Sequence, residues 1–297
     1  MNKLKLDIQN LANRLDISTK KMFRSNLAGN YQTAFKGSGL EFYGFRKYSP
    51  EDDASRIDWK ASSRANDLLV REYIEERNLS VFFLLDASST MLFGTRNKIK
   101  AQYAAELVAS MSFAIIHSSD SVGLGMFNKT LVRNFLPASG DKQYYNILNN
   151  LVDLNLYENG FELAKPIKYY TEVLPRGSLF FIVSDFIGLK GDDWIKALRV
   201  ACRKLDVIGI MVRDVRDRLL PDEYSEIVLE SPEDDRKKIV NPAAIKHAYE
   251  SYVKREEERI MEIFSESGGA EFLLLTTEMD FVNPITKMFK RRALKYR

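Results

Sequence analysis

From Leu79 onward, short and uninterrupted apolar runs alternate with longer amphipathic stretches, and this alternation constrains the possible fold most strongly. The apolar runs are VFFLLD at 81–86, SLFFIVSD at 178–185, DVIGIMV at 206–212 and EFLLL at 271–275. Short runs that are apolar at nearly every position are typical of strands buried on both faces, and the intervals between them are long enough for crossover helices. The pattern therefore predicts an α/β fold with a mostly parallel sheet flanked by helices.

The intervals between the apolar runs show the periodicity of amphipathic helices. The segments VGLGMF and LVRNFL interrupt this alternation and predict a hairpin around Asn128 and Lys129. Asn241 and Pro242 are a typical helix start, and two glycines at 268 and 269 are a typical helix end. The predicted helices span 98–117, 144–152, 163–173 and 191–205, with a further one after Asn241.

Residues 1–79 differ in character from the rest of the chain. They include a turn-prone segment, GSGLEFYGF, and a charge-dense stretch over 46–77, and they lack a strong core pattern. We therefore divide the chain into an N-terminal extension at 1–79 and an α/β domain at 80–297.

Composition argues against several classes of function. The chain has 44 Lys and Arg against 41 Asp and Glu, which leaves a formal charge of +3. This charge is too small to indicate a nucleic-acid-binding surface. The basic tail over 290–297 is short, and we expect it to be only a solvated end of the chain. Cys202 is the single cysteine, so a reducing cytoplasm is the expected location. The N-terminus lacks a signal-peptide pattern, and no run approaches the roughly 20 apolar residues of a membrane span.

Polar side chains follow two of the predicted strands directly. Asp86, Ser88 and Thr90 form a D-x-S-x-T loop after VFFLL, and Asp185 ends SLFFIVSD. Ligands of open α/β sheets bind outside the carboxyl ends of the strands, and oxygen-only donors suit Mg²⁺. The sequence thus predicts a magnesium site at this edge, and the alternative is that these residues only cap turns and helices.

The segment GSGLEFYGFRKYSPEDDASRIDWK, at 37–60, and the later S-D-F at 184–186 resemble the bacterial and archaeal family called domain of unknown function 58. The resemblance covers about residues 35–190. It implies a von Willebrand factor type A-like fold.

The resemblance also implies a metal-ion-dependent adhesion site, a non-enzymatic protein-binding role and a protein partner, a MoxR-type AAA+ ATPase, in chaperone-like or complex-maturation work. Asp86, Ser88, Thr90 and Asp185 match the motif of that site, which would hold Mg²⁺. The remaining ligand in related domains is a threonine from an intermediate loop. At that position the chain has Phe161, which carries no side-chain oxygen, followed by Glu162.

An enzyme is the alternative hypothesis. Haloacid dehalogenase-type phosphatases also place an aspartate nucleophile after the first strand, and Asp86 would take that role. Thr90 and Ser184 fit that pattern, and Asp192 with Asp193 would hold Mg²⁺. Ser88, however, replaces the aspartate that serves as the general acid in such enzymes.

Overall fold

The computed structural model describes residues 3–7, 40–50, 52–65, 67–75, 79–96, 98–221, 225–230 and 236–295 of the 297-residue chain. Two compact units are present, a small one within residues 31–78 and a large one centred on residues 79–297. Among the described helices, none combines the length and the apolar character needed to cross a bilayer.

The small unit is a two-stranded antiparallel sheet with one helix. Strand β1 covers Leu40–Lys47, helix α1 covers Trp59–Ala65 and strand β2 covers Leu69–Glu75. Oppositely charged side chains of this segment form ion pairs with one another. The Arg46 guanidinium lies 2.6 Å from the Asp52 carboxylate, and the Arg71 Nε lies 2.6 Å from that of Asp58. Water and salt screen such ion pairs near the surface, so they contribute little to stability.

A six-stranded sheet forms the centre of the large unit. The strands of this unit are β3 (Ser80–Asp86), β4 (Ser121–Phe127), β5 (Leu131–Ala138), β6 (Leu179–Ser184), β7 (Asp206–Arg213), β8 (Ile227–Glu230), β9 (Lys237–Val240) and β10 (Glu271–Thr276). The order in the central sheet is β10-β7-β6-β3-β4-β5. All neighbours are parallel except β4 and β5, which form an antiparallel hairpin, and β8 pairs with β9 in a separate two-stranded sheet.

Helices cover both faces of the central sheet. They are α2 (Lys100–His117), α3 (Asp141–Leu151), α4 (Ala164–Val173), α5 (Asp193–Lys204), α6 (Val215–Arg218), α7 (Pro242–Glu266) and α8 (Val282–Lys295). Alternate side chains of β3 enter different cores, as the pleat of a strand requires. Phe83 packs in the core that includes α2, α3 and α8, whereas Phe82 packs in the core that includes α4, α5 and α7. Burial on both faces explains why the parallel strands are apolar at nearly every position.

Most of the predicted elements of the large unit are present, with shifted ends. The hairpin around Asn128 and Lys129 is confirmed as β4 and β5, and the predicted helix over 98–117 begins at Lys100. The helix predicted from residue 144 begins at Asp141, just after a glycine. The strands β1, β2, β8 and β9 and the helices α1, α6 and α8 were not predicted. The four-residue strands β8 and β9 are largely exposed, so they lack the buried pattern that identifies a strand.

The strand order places the carboxyl ends of β3 and β6 side by side at the point where the sheet topology reverses. From β3 the chain proceeds outward to β4 and β5 on one side, then returns to β6 on the other side and continues to β7 and β10. Open α/β sheets bind ligands at such a topological switch point. Asp86 ends β3 and Asp185 directly follows β6, so both acids lie at this point.

Candidate functional site

The loop after β3 holds three of the predicted site residues in a compact turn. The Asp86 Oδ1 accepts a hydrogen bond of 2.8 Å from the backbone N–H of Ser88, which is the local turn that aspartate favours. The hydroxyls of Ser88 and Thr90 lie 2.9 Å apart and hydrogen-bond to each other. All three side chains are buried.

The loop after β6 joins this turn through Ser184. The Ser184 hydroxyl donates to Asp86 Oδ2 at 2.6 Å and accepts from the backbone N–H of Phe186 at 2.8 Å. Asp185 is fully buried, and its Oδ1 accepts from the backbone N–H of Ile187 at 2.8 Å. The structure therefore brings the Asp86 loop and Asp185 together at one point inside the protein.

The electrostatics of Asp86 reflect this enclosure. Burial raises the pKa of its carboxyl to about 7, and the neighbouring charge of Asp185 adds to the increase. Hydrogen bonds from Ser184 and Ser88 act in the opposite direction but do not cancel it. The Asp86 carboxyl therefore retains a proton at a higher pH than an ordinary aspartate does.

A buried lysine neutralises the second acid. The Lys100 Nζ lies 2.7 Å from Asp185 Oδ2 and 2.9 Å from Asp217 Oδ2, and the lysine side chain is 1% exposed. The same ammonium lies 5.6 Å from the centroid of the Phe93 ring, within cation–π range. We refer to Asp86, Ser88, Thr90, Lys100, Ser184, Asp185 and Asp217 as the switch-point cluster.

The sequence analysis did not identify Lys100 or Asp217. A signal for Lys100 was present, because a cation in the first turn of a helix opposes the helix dipole and so requires a partner elsewhere. Asp217 carried no such signal, since it lies in the short helix α6 that has no clear pattern.

Asp214 connects further loops at the same edge of the sheet. It caps helix α6 after β7 and accepts from Thr95 Oγ1 at 2.6 Å, in the loop after β3. Thr277, which follows β10, donates to the same carboxylate at 3.2 Å. The Asp217 Oδ2 also accepts from the Asp214 backbone N–H at 2.8 Å. The loops after β3, β7 and β10 are thus held together by side-chain hydrogen bonds.

The intermediate loop meets the Asp86 loop at Ser89, whose backbone N–H and hydroxyl both donate to the Asn159 carbonyl at 2.9 Å, whereas the side chains of Phe161 and Glu162 have other contacts. The Phe161 ring packs 5.6 Å from that of Phe127, next to the core below the loop. Glu162 uses its Oε1 to accept from the backbone N–H of Ala164 at 2.8 Å, where helix α4 begins. Both residues therefore have structural roles in this conformation.

These contacts do not fit a magnesium ion. The oxygens of Asp86 accept from N–H and O–H donors, and those of Asp185 accept from a backbone N–H and pair with the Lys100 ammonium, so both carboxylates already have partners. Within the described part of the chain, no group of three or more His, Cys, Asp or Glu side chains is arranged to hold a metal ion. We therefore derive no step through magnesium.

The arrangement also provides little support for the phosphatase hypothesis. Asp86 is fully buried, whereas Asp192 and Asp193, which would hold the metal in such an enzyme, are exposed. Asp193 pairs with Lys196 on its own helix. A nucleophile and metal ligands that work together would have to converge on one accessible point.

Two apolar side chains of the loop after β3 face solvent. Leu92 is 39% exposed and Phe93 is 43% exposed, although Asp86, Ser88 and Thr90 of the same loop are buried. Leu219, two residues after Asp217, is 48% exposed.

Comparison with known proteins identifies a family of unknown function and relatives that are described as uncharacterized. The model of the family described as "Protein of unknown function DUF58" matches residues 44–259. The uncharacterized protein Rv1480 of Mycobacterium tuberculosis is 27% identical over 221 residues, which cover 74% of this chain and 69% of that protein. The uncharacterized protein YeaD of Bacillus subtilis is 28% identical over 128 residues, which cover 42% of this chain and 28% of that protein.

A solved structure shares the fold. The conserved hypothetical protein BatB from Bacteroides thetaiotaomicron superposes with a TM-score of 0.52 at 15% identity, over 73% of this chain and 99% of that chain. Together with the strand order, this likeness confirms the predicted fold class, a von Willebrand factor type A-like, mostly parallel sheet flanked by helices.

Proposed function

Because the chain belongs to the family of proteins of unknown function DUF58, we propose that it is a non-enzymatic protein-interaction module. Its partner binds the carboxyl-end edge of the sheet, at the switch point between β3 and β6. The function of the buried acids and Lys100 is to hold the loops of this edge in one conformation.

One observation carries this proposal. At the switch point the ionisable side chains are buried and paired, while Leu92 and Phe93 on the same loop are exposed. Aromatic side chains at the centre of a surface are frequent anchors of protein interfaces. A loop fixed from below by hydrogen bonds also loses little conformational entropy when a partner binds.

The partner we propose is a MoxR-type AAA+ ATPase, with which the chain would act in chaperone-like or complex-maturation work. This part of the proposal rests on the family resemblance. The exposed apolar loop is compatible with it, since it offers a small and rigid surface to another protein. The cytoplasm is the location that we infer for this work, and the single cysteine supports it.

The non-enzymatic part of the proposal is supported by the state of the acids. Asp86 would have to reach a substrate to act as a nucleophile, but it has no exposed surface and both of its oxygens accept hydrogen bonds. The buried Asp86 carboxyl can still hold the loop whose exposed residues bind a partner.

Capture of a MoxR-type ATPase encoded beside the gene tests the proposal. We expect Phe93→Ser to weaken binding at least tenfold, because truncation of a central aromatic anchor commonly costs about 2 kcal/mol or more. Asp185→Ala should weaken binding as well, because it leaves Lys100 without one of its two partners and loosens the loop. Equilibrium dissociation constants from surface plasmon resonance would measure both effects.

The matched control is Leu136→Ser. Leu136 is 50% exposed, similar to Phe93, but it lies on β5 near the opposite end of the sheet, where Ala138 pairs with Val122. We expect this variant to bind as the wild type does. Equal affinities for wild type, Phe93→Ser and Asp185→Ala would place the interface elsewhere and contradict the proposal.

A further inference from the structure

Lys100 lies in a position that ordinary helix electrostatics disfavours. It is the first residue of α2, where the N-terminal end of the helix dipole repels a cation. Its side chain is also 1% exposed, although lysine is rarely buried unless it is paired. A specific attraction must therefore hold the ammonium in place.

That attraction comes from two carboxylates on different loops. Asp185 follows β6 and Asp217 lies in α6, and each places one oxygen within 3 Å of the Lys100 Nζ, at 2.7 Å and 2.9 Å. The Phe93 ring, 5.6 Å away, lies on a third loop. The Lys100 ammonium therefore contacts side chains from three loops. In a metal-dependent binding site, a divalent cation connects loops in the same way.

We propose that Lys100 is the resident cation of the switch-point cluster and takes the place of a divalent metal ion there. The bridging ammonium satisfies Asp185 and Asp217, and the hydroxyls of Ser88 and Thr90 satisfy each other. The carboxyl-end edge is therefore organised without Mg²⁺. This inference does not depend on which partner binds the edge.

Metal titration of the wild-type full chain is the first test. After treatment with EDTA and its removal, we expect no saturable heat with MgCl₂ and no loss of the free Mn²⁺ signal in electron paramagnetic resonance. The Tm should be the same in EDTA and in excess MgCl₂. Binding of one Mn²⁺ per chain that Asp185→Asn abolishes and Asp193→Asn retains would overturn the proposal.

Removal of the ammonium is the second test. Lys100→Ala should lower the Tm in EDTA, because two carboxylates are left without their cation. Excess MgCl₂ should then raise the Tm of this variant by about 5 °C or more, since the freed oxygens can hold a divalent ion. Lys100→Gln, which retains most of the side-chain length, should behave in the same way and covers the case in which Lys100→Ala does not fold.

Lys98→Ala is the matched control. Lys98 is two residues away and pairs with Glu106, outside the cluster, so its removal should leave the Tm insensitive to MgCl₂. A Lys100→Ala protein as stable as the wild type would show that the ammonium does not organise the cluster. A destabilised Lys100→Ala protein that responds to neither Mg²⁺ nor Mn²⁺ would show that the ammonium does not occupy a metal position. Either result would overturn the proposal.

Discussion

At the scale of single residues, Asp86 is the side chain whose environment departs most from that of a free carboxyl. Burial and the nearby Asp185 raise its pKa to about 7, whereas an aspartate in an unfolded chain has a pKa of about 3.9. Between these two values the folded protein retains a proton that the unfolded chain releases. The contribution of Asp86 to the free energy of unfolding therefore decreases as the pH increases through this range.

We predict that Asp86→Asn removes this dependence on pH. At its steepest, the Asp86 contribution decreases by about 1.4 kcal/mol for each pH unit between about pH 4 and pH 7, and it is constant above that range. The asparagine can still accept from Ser88 and donate to Ser184, so the turn is retained. Urea unfolding of both proteins at several pH values measures the difference, and parallel curves from pH 4 to pH 7 would refute the prediction.

The position of Asp86, Ser88, Thr90 and Asp185 at one edge of the sheet could be predicted because they end or follow buried strands. Asp86 and Asp185 each come directly after an apolar run, and parallel strands place their carboxyl ends on one edge. Lys100 was missed because its partners are distant in the chain, at Asp185 and Asp217. The burial of the cluster was also not predictable, since a residue pattern does not show whether a loop folds inward over its own polar groups.

At the scale of elements, the sequence was informative where burial is complete and uninformative where it is partial. The strand β6 is buried at every position, and the apolar run predicted it. Strands β1 and β2 carry charged residues such as Arg46 and Arg71, and they pair with each other in a two-stranded sheet. These strands are stabilised by cross-strand contacts within a small unit. Such contacts produce no periodic pattern of apolar residues in the sequence.

The packing of β4 against α4 gives a prediction at this scale. A Cβ at Gly125 would lie 2.6 Å from Cζ of the buried Tyr170 side chain, closer than real Cβ atoms approach. We expect Gly125→Ala to lower the free energy of unfolding by about 1–3 kcal/mol, because the tyrosine must shift within a filled core. The midpoint of urea unfolding measures this change.

Gly44→Ala is the control for the same substitution. Gly44 lies in β1, and a Cβ there would have no other atom within 4 Å. The expected change in the free energy of unfolding is within about 0.5 kcal/mol of zero. If Gly125→Ala were as stable as Gly44→Ala, the close packing of β4 on Tyr170 would be wrong.

At the scale of the whole molecule, the strand order determines what this protein can present to its surroundings. The reversal between β3 and β6 brings loops from distant parts of the chain to one edge of the large unit. In many proteins of this architecture a bound ligand unites such loops. Here hydrogen bonds to Asp214 and the ion pairs of Lys100 unite them, and the apolar residues Leu92 and Phe93 remain on the outside.

A crystal structure of the full chain grown in millimolar MnCl₂ tests the central claim most directly. Anomalous scattering identifies Mn²⁺ without ambiguity, so the occupant of the switch-point cluster can be read from one map. We predict no anomalous peak between Asp86 and Asp185 and an ion pair between the Lys100 ammonium and the Asp185 carboxylate. A manganese peak at that position, with the Lys100 side chain turned away, would contradict the account.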